Sequence, residues 1–293
     1  MLNVTDARAV RILSLKDCCV SGVALLHNEL YVLCHGRVDN QVQVHSTTSY
    51  KLLRCVSVPE LHRYDDQDMV SCDRSNCLFI SDSGNRCIHQ VSTNGIVISK
   101  WTVPGEPRGL SVTPAGDLLV VCRTETGAYQ LVTFHLDRGK LIMRHIKLQS
   151  TIKGPCQAIQ LSSGHFVVCQ HGHPGLCDVN AQDQVTRFYD GVDMARLRCP
   201  CHVTIDRDNE LLFVADHDNH RVVLLSCSLQ FLGDVIKLAL PSSLCFDHVT
   251  QRLYVGHGCD VTVIQLQHAE GSKLPASDPH LVTALWKVTM KTD

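Results

Sequence analysis

The 293-residue sequence contains no apolar run near the ~18 residues that span a bilayer, although its mean hydropathy is +0.02. The opening Met1 to Lys16, MLNVTDARAVRILSLK, builds no secretion-signal core, because Asp6 and two arginines precede any apolar stretch. A soluble cytoplasmic protein without membrane contact is the expectation. The chain also lacks a basic excess: 27 Lys and Arg against 29 Asp and Glu leave a net charge of −2. Binding nucleic acid chiefly by phosphate neutralisation therefore gains no support from overall charge. Sustained helical periodicity with caps is missing; the segment 281–288 is the one apolar stretch compatible with a helix. Glycine-rich phosphate loops, nucleophile elbows and zincin motifs are absent too, so no familiar catalytic constellation is written in the sequence.

Cysteine, by contrast, is abundant at sixteen residues. Many sit inside apolar runs, among them Cys34, Cys72, Cys122, Cys169, Cys227 and Cys245. Buried free cysteine behaves as a small hydrophobe, so reduced thiols are favoured over a disulfide framework.

One short apolar strand recurs along the chain. It reads Leu30-Tyr31-Val32, Leu78-Phe79-Ile80, Leu119-Val120-Val121, Phe166-Val167-Val168, Leu212-Phe213-Val214 and Leu253-Tyr254-Val255. Steps of 48, 41, 47, 46 and 41 give a period of about 45, the length of a propeller blade. A second short strand lies about ten residues before each copy, across a polar turn such as Asp206-Arg207-Asp208-Asn209, and a third follows. Isolated meanders leave edges and a face unprotected, so the blades must pack into a closed ring. The sequence thus predicts an all-β, six-bladed β-propeller of four-stranded antiparallel blades over residues 1–266, with a tail over 267–293. The sixth blade lacks a fourth strand, and Ala9-Val10-Arg11-Ile12-Leu13 is expected to supply it. A strand from 284–288 is the alternative.

In the fifth repeat, Val214-Ala215-Asp216 is followed by Asn219-His220-Arg221-Val222. This resembles the NHL-repeat signature. The second repeat, Ser81-Asp82 followed by Asn85-Arg86-Cys87-Ile88, is similar but puts Arg86 in the histidine slot and Cys87 in the arginine slot. The resemblance covers most of the chain by period and two blades by motif. It implies a six-bladed propeller like the C-terminal module of tripartite-motif ubiquitin ligases and of RNA-regulating relatives. No RING or B-box pattern accompanies it here, so ligase activity does not follow. Turn chemistry alone accounts for Asp82, Asn85, Asp216, Asn219 and Arg221.

Candidate sites are sparse. Equivalent turns place His35, His171, His173, His217, His220 and His257 on one face, although propeller width argues against one shared ion. Cys199-Pro200-Cys201 is a weak zinc pair without a partner pair. Residues near the starts of the inner strands are Ser21, Asp68, Arg108, Gln157, His202 and Ser242. Only Asp68 and His202 are strong metal ligands, and Arg108 opposes a cation; no cofactor and no catalytic residue is expected. Loops carry recognition, and Arg63, Tyr64, Tyr189, Arg196 and Arg198 are of types enriched at hot spots. The resulting expectation is a protein-binding propeller. An RNA-binding propeller and, less favoured, a channel-metal hydrolase or lyase are the alternatives.

Overall fold

A computed structural model describes residues 8–15, 18–36, 40–58, 61, 67–137, 140–173, 175–189, 191, 195–268 and 286–287. It is a ring of six four-stranded antiparallel blades. The innermost strands are β2 (Cys18–Leu26), β6 (Met69–Cys72), β10 (Glu106–Val112), β14 (Pro155–Gln160), β18 (Pro200–Asp206) and β22 (Pro241–Asp247). The recurrent apolar triplets form the second strands: β3 (Glu29–Gly36), β7 (Cys77–Asp82), β11 (Leu118–Arg123), β15 (Phe166–Gln170), β19 (Leu211–Asp216) and β23 (Arg252–His257).

Successive side chains of a strand point to opposite faces, and in a propeller both faces meet a neighbouring blade. Leu30, Val32 and Cys34 of β3 therefore pack towards blade six, while Tyr31 and Leu33 pack towards blade two. This is why the triplets are continuous apolar runs rather than alternating ones. The core is accordingly divided into six clusters, one in each interface between consecutive blades. Cysteines fill small positions within them: Cys72, Cys77 and Cys122 between blades two and three, Cys169 between four and five. All sixteen are free thiols.

The ring closes on the N-terminal side of the chain. β1 (Arg8–Ser14) pairs antiparallel with β24 (Asp260–Gln265), Ala9 opposite Ile264 and Val10 opposite Val263. It thereby becomes the outer strand of blade six. The competing segment does not take that place: Trp286–Lys287 pairs with Gln267–His268 as a separate two-stranded sheet. The rest of 281–288 lies outside the described residues. No helix among the described residues is long and apolar enough to cross a membrane.

Two buried histidines make the fold acid-sensitive. Burial lowers the pKa of His45 and of His257, whereas in the unfolded chain both recover the ordinary histidine value. The unfolded state then binds more protons on acidification, so this part of the stability is present at neutral pH and lost as pH falls through the normal histidine range. His257→Asn, which keeps an acceptor and donor near Thr262 Oγ1, should lose less Tm than the wild type between about pH 7.5 and 5.5. An equal loss in calorimetry would refute this assignment.

Candidate functional site at the channel mouth

Five inner strands bulge at the same level. Their registers break between Val20 and Gly22, Pro107 and Leu110, Pro155 and Gln157, Pro200 and His202, and Pro241 and Ser243. A bulge leaves residues unopposed and re-aims them. The residues freed here, Ser21, Arg108 with Gly109, Cys156, Cys201 and Ser242, all line a cavity of about 450 Å³ in one mouth of the central channel.

These residues also bind blade to blade. The Cys156 thiol lies 3.3 Å from the carbonyl of Cys201 in the next blade, and that of Cys201 lies 3.3 Å from the carbonyl of Pro241. Ser242 Oγ completes the series, donating to Gly256 O at 3.2 Å and within 3.3 Å of Val20 O. Burial pushes the Cys156 thiol up to about 12 and that of Cys201 well above its ordinary value, so both stay protonated and act as donors. At Gly109 the blades approach so closely that a Cβ would fall 2.3 Å from Cys156 O.

Asp68 organises the floor. Its Oδ1 accepts from Met69 N and its Oδ2 from Leu110 N, both at 2.8 Å. Gln157 Nε2 lies 3.2 Å from Asp68 Oδ2 and 2.9 Å from Leu110 O, and His202 Nε2 lies 3.2 Å from that amide and 3.5 Å from Asp68 Oδ1. The carboxylate thus joins blades two, three, four and five. Gln157 and His202 also line the cavity of about 630 Å³ at the opposite mouth, so they form the septum between the two. His202 Nδ1 is buried without a hydrogen-bond partner among the described residues.

All six residues expected at the starts of the inner strands line this cavity, Asp68 and His202 side by side. Of the six turn histidines, His35, His171 and His217 reach it. His173 and His220 are exposed, and His257 is buried against Thr262 Oγ1 at 2.8 Å. Cys199 and Cys201 part company. Cys199 lies with His217 and Asp218, their ligand atoms within 4.8 Å of one another, while Cys201 faces the neighbouring carbonyls. Among the described residues, three groups bring three such ligand atoms together, and none includes Asp68 or His202.

The turn residues form their own networks. In blade five, Arg221 Nε donates to the fully buried Asp216 at 2.9 Å, Nη1 to Asp234 at 2.9 Å and Nη2 to Arg196 O at 2.9 Å. Asn219 Nδ2 donates to Asp216 at 2.7 Å, and Arg198 N donates to the same carboxylate at 2.8 Å. This turn therefore holds the backbone of the loop carrying Arg196 and Arg198, whose side chains are exposed. Tyr189 is half-buried against the cluster between blades four and five, its hydroxyl donating to Ala195 O at 2.9 Å. Arg63 and Tyr64 lie outside the described residues. In blade two, where Cys87 fills the arginine slot, His89 supplies the missing partner. Its Nε2 lies 3.0 Å from Asp82 Oδ2, and Asn85 Nδ2 donates to the same oxygen at 2.9 Å. Sequence reading missed His89, because it sits two residues beyond the arginine slot.

No family model and no curated protein matches the sequence. Solved structures do match in fold. A gluconolactonase from Xanthomonas campestris superposes with a TM-score of 0.69 at 14% identity, covering 91% of this chain and 92% of its own. Virginiamycin B lyase from Staphylococcus aureus, a catalytically inactive histidine-to-alanine variant bound to quinupristin, gives 0.62 at 12% identity over 89% and 100%. A chain of a nidogen/laminin complex gives 0.58 at 14% over 81% and 83%. At such identities the likeness shows the fold: this chain is a six-bladed β-propeller, a scaffold shared by enzymes and by a protein of a protein–protein complex.

Proposed function

We propose that this propeller is a protein-interaction module whose channel mouth takes an acidic side chain or carboxylate of its partner. The composition of the mouth carries the reading. Arg108, His35, His171, His202 and His217 line it against one carboxylate, Asp68. Both Asp68 oxygens already accept from backbone or side-chain N–H groups, so the mouth offers a partner the Arg108 guanidinium and imidazole nitrogens. A cavity of this size admits one or two side chains, and anchors buried in such pockets dominate interface energetics.

The test is fluorescence anisotropy with a labelled glutamate-rich peptide, a lysine-rich peptide of equal length and a uridine oligoribonucleotide. The acidic peptide should bind and the lysine-rich peptide should not. Arg108→Gln should weaken it about tenfold, the loss of one charge-assisted hydrogen bond. Tighter binding of the oligoribonucleotide would replace this reading with an RNA-binding one.

The unpartnered His202 Nδ1 favours one second reading, acid–base catalysis by the histidine beside Asp68. The lyase structure, in which replacing a histidine removes activity, supports it by analogy of fold. Lactone hydrolysis by this protein with added divalent metal, lost in His202→Ala, would favour that alternative over binding.

A further inference from the structure

The ring is closed by strands from opposite ends of the chain, and the seam carries two exposed thiols that the packing does not use. Val20 N donates to Gly258 O at 2.8 Å, and Leu15 N to Cys259 O at 2.7 Å. The first bond holds the turn between β23 and β24 of blade six against the first strand of blade one, and the second extends the pairing of β1 with β24. Because the peptide after Cys19 is thereby bonded to the peptide before Cys259, these two cysteines, 240 positions apart, lie beside each other across the seam, close enough for Cys19 to raise the pKa of Cys259. Both residues are exposed. The neighbouring pair Cys18 and Cys34 is also in contact but is buried in the cluster between blades six and one, away from any reagent. Other exposed positions offer no such pairing at a blade junction: Cys55, the remaining exposed cysteine, lies on the outer strand β5 (Leu52–Ser57).

We propose that Cys19 and Cys259 form a redox clasp, a reversible disulfide that locks the closure of the propeller. The oxidant is a low-molecular-weight disulfide such as glutathione disulfide. Cys19 as thiolate attacks one sulfur, forming a mixed disulfide and releasing one small thiolate. Cys259 then attacks the Cys19 sulfur and releases the second. Two protein thiols and one small disulfide become one protein disulfide and two small thiols, the two protons passing to the leaving thiolates. The bond would close a loop of nearly the whole chain, the case in which a cross-link constrains the unfolded state most.

The experiment equilibrates purified protein at low concentration with glutathione buffers of rising oxidised fraction, then alkylates and digests it with trypsin without reduction. Peptide 17–37 should appear linked to peptide 253–273, with fragmentation placing the bond at Cys19. Tm should rise by about 5–10 °C on oxidation. Cys19→Ser and Cys259→Ser should each abolish both changes, and Cys18→Ser neither. Because a serine variant can fail to fold, differential alkylation of the unaltered protein provides a second reading: Cys19 and Cys259 should lose reactivity together. Disulfide-linked dimers, persistent mixed disulfides, or linkage with no rise in Tm would each overturn the clasp.

Discussion

Deletion of residues 1–15 should abolish the cooperative thermal transition, whereas deletion of residues 269–293 should move Tm by less than about 3 °C. The first removes β1 and with it the outer strand of blade six. It also removes Leu13 and Leu15, buried in the cluster between blades six and one. Each such leucine contributes on the order of 2–3 kcal/mol, and the six paired residues of β1 leave β24 as an open edge. Together these losses approach the ~5–15 kcal/mol by which a whole domain is stable. The second deletion removes from the described structure only a two-residue pairing. Differential scanning calorimetry and solubility decide between them. A folded, monomeric protein after the first deletion would show that closure does not depend on β1.

His89→Ala should cost about 1–3 kcal/mol, because it takes one hydrogen-bond partner from a fully buried oxygen of Asp82. Asp82 is fully buried and His89 nearly so. Their 3.0 Å contact, with Asn85 on the same oxygen, has little water to replace the imidazole. In Asp82→Asn/His89→Ala the carboxylate that the imidazole contacts is gone, so urea unfolding should recover part of the loss, and a double-mutant cycle should give a coupling above about 0.5 kcal/mol. Additive losses would mean that the two side chains act independently. Blade five provides the internal comparison: there Arg221 pairs with Asp216 directly, so the equivalent buried aspartate is met by an arginine in one repeat and a histidine in the other.

That contrast marks the limit of motif reading. The turn of blade five was legible because its aspartate, asparagine and arginine fall within six residues, Asp216 to Arg221. In blade two the partner is His89, two residues further along the following strand than Cys87, which occupies the arginine slot. The candidate site divides the same way. Ser21, Asp68, Arg108, Gln157, His202 and Ser242 could be assigned to the channel because inner-strand starts face it in every blade. Cys156 and Cys201 could not, since alternation along a strand places them on the other side of the sheet from Gln157 and His202. A bulge of one residue turns both neighbours towards the cavity.

The sequence alone determined the number of blades, the strands buried on both faces and the N-terminal closing strand. Burial on two sides demands continuous apolar residues, and a ring of such sheets demands a repeat and an end to close it. Tertiary structure decided what gathers at the centre: three of six turn histidines, two bulged thiols, an aspartate with its oxygens already engaged, and a seam that sets Cys19 beside Cys259. Those arrangements depend on where six blades converge, and convergence is a property of the closed ring that no local pattern encodes.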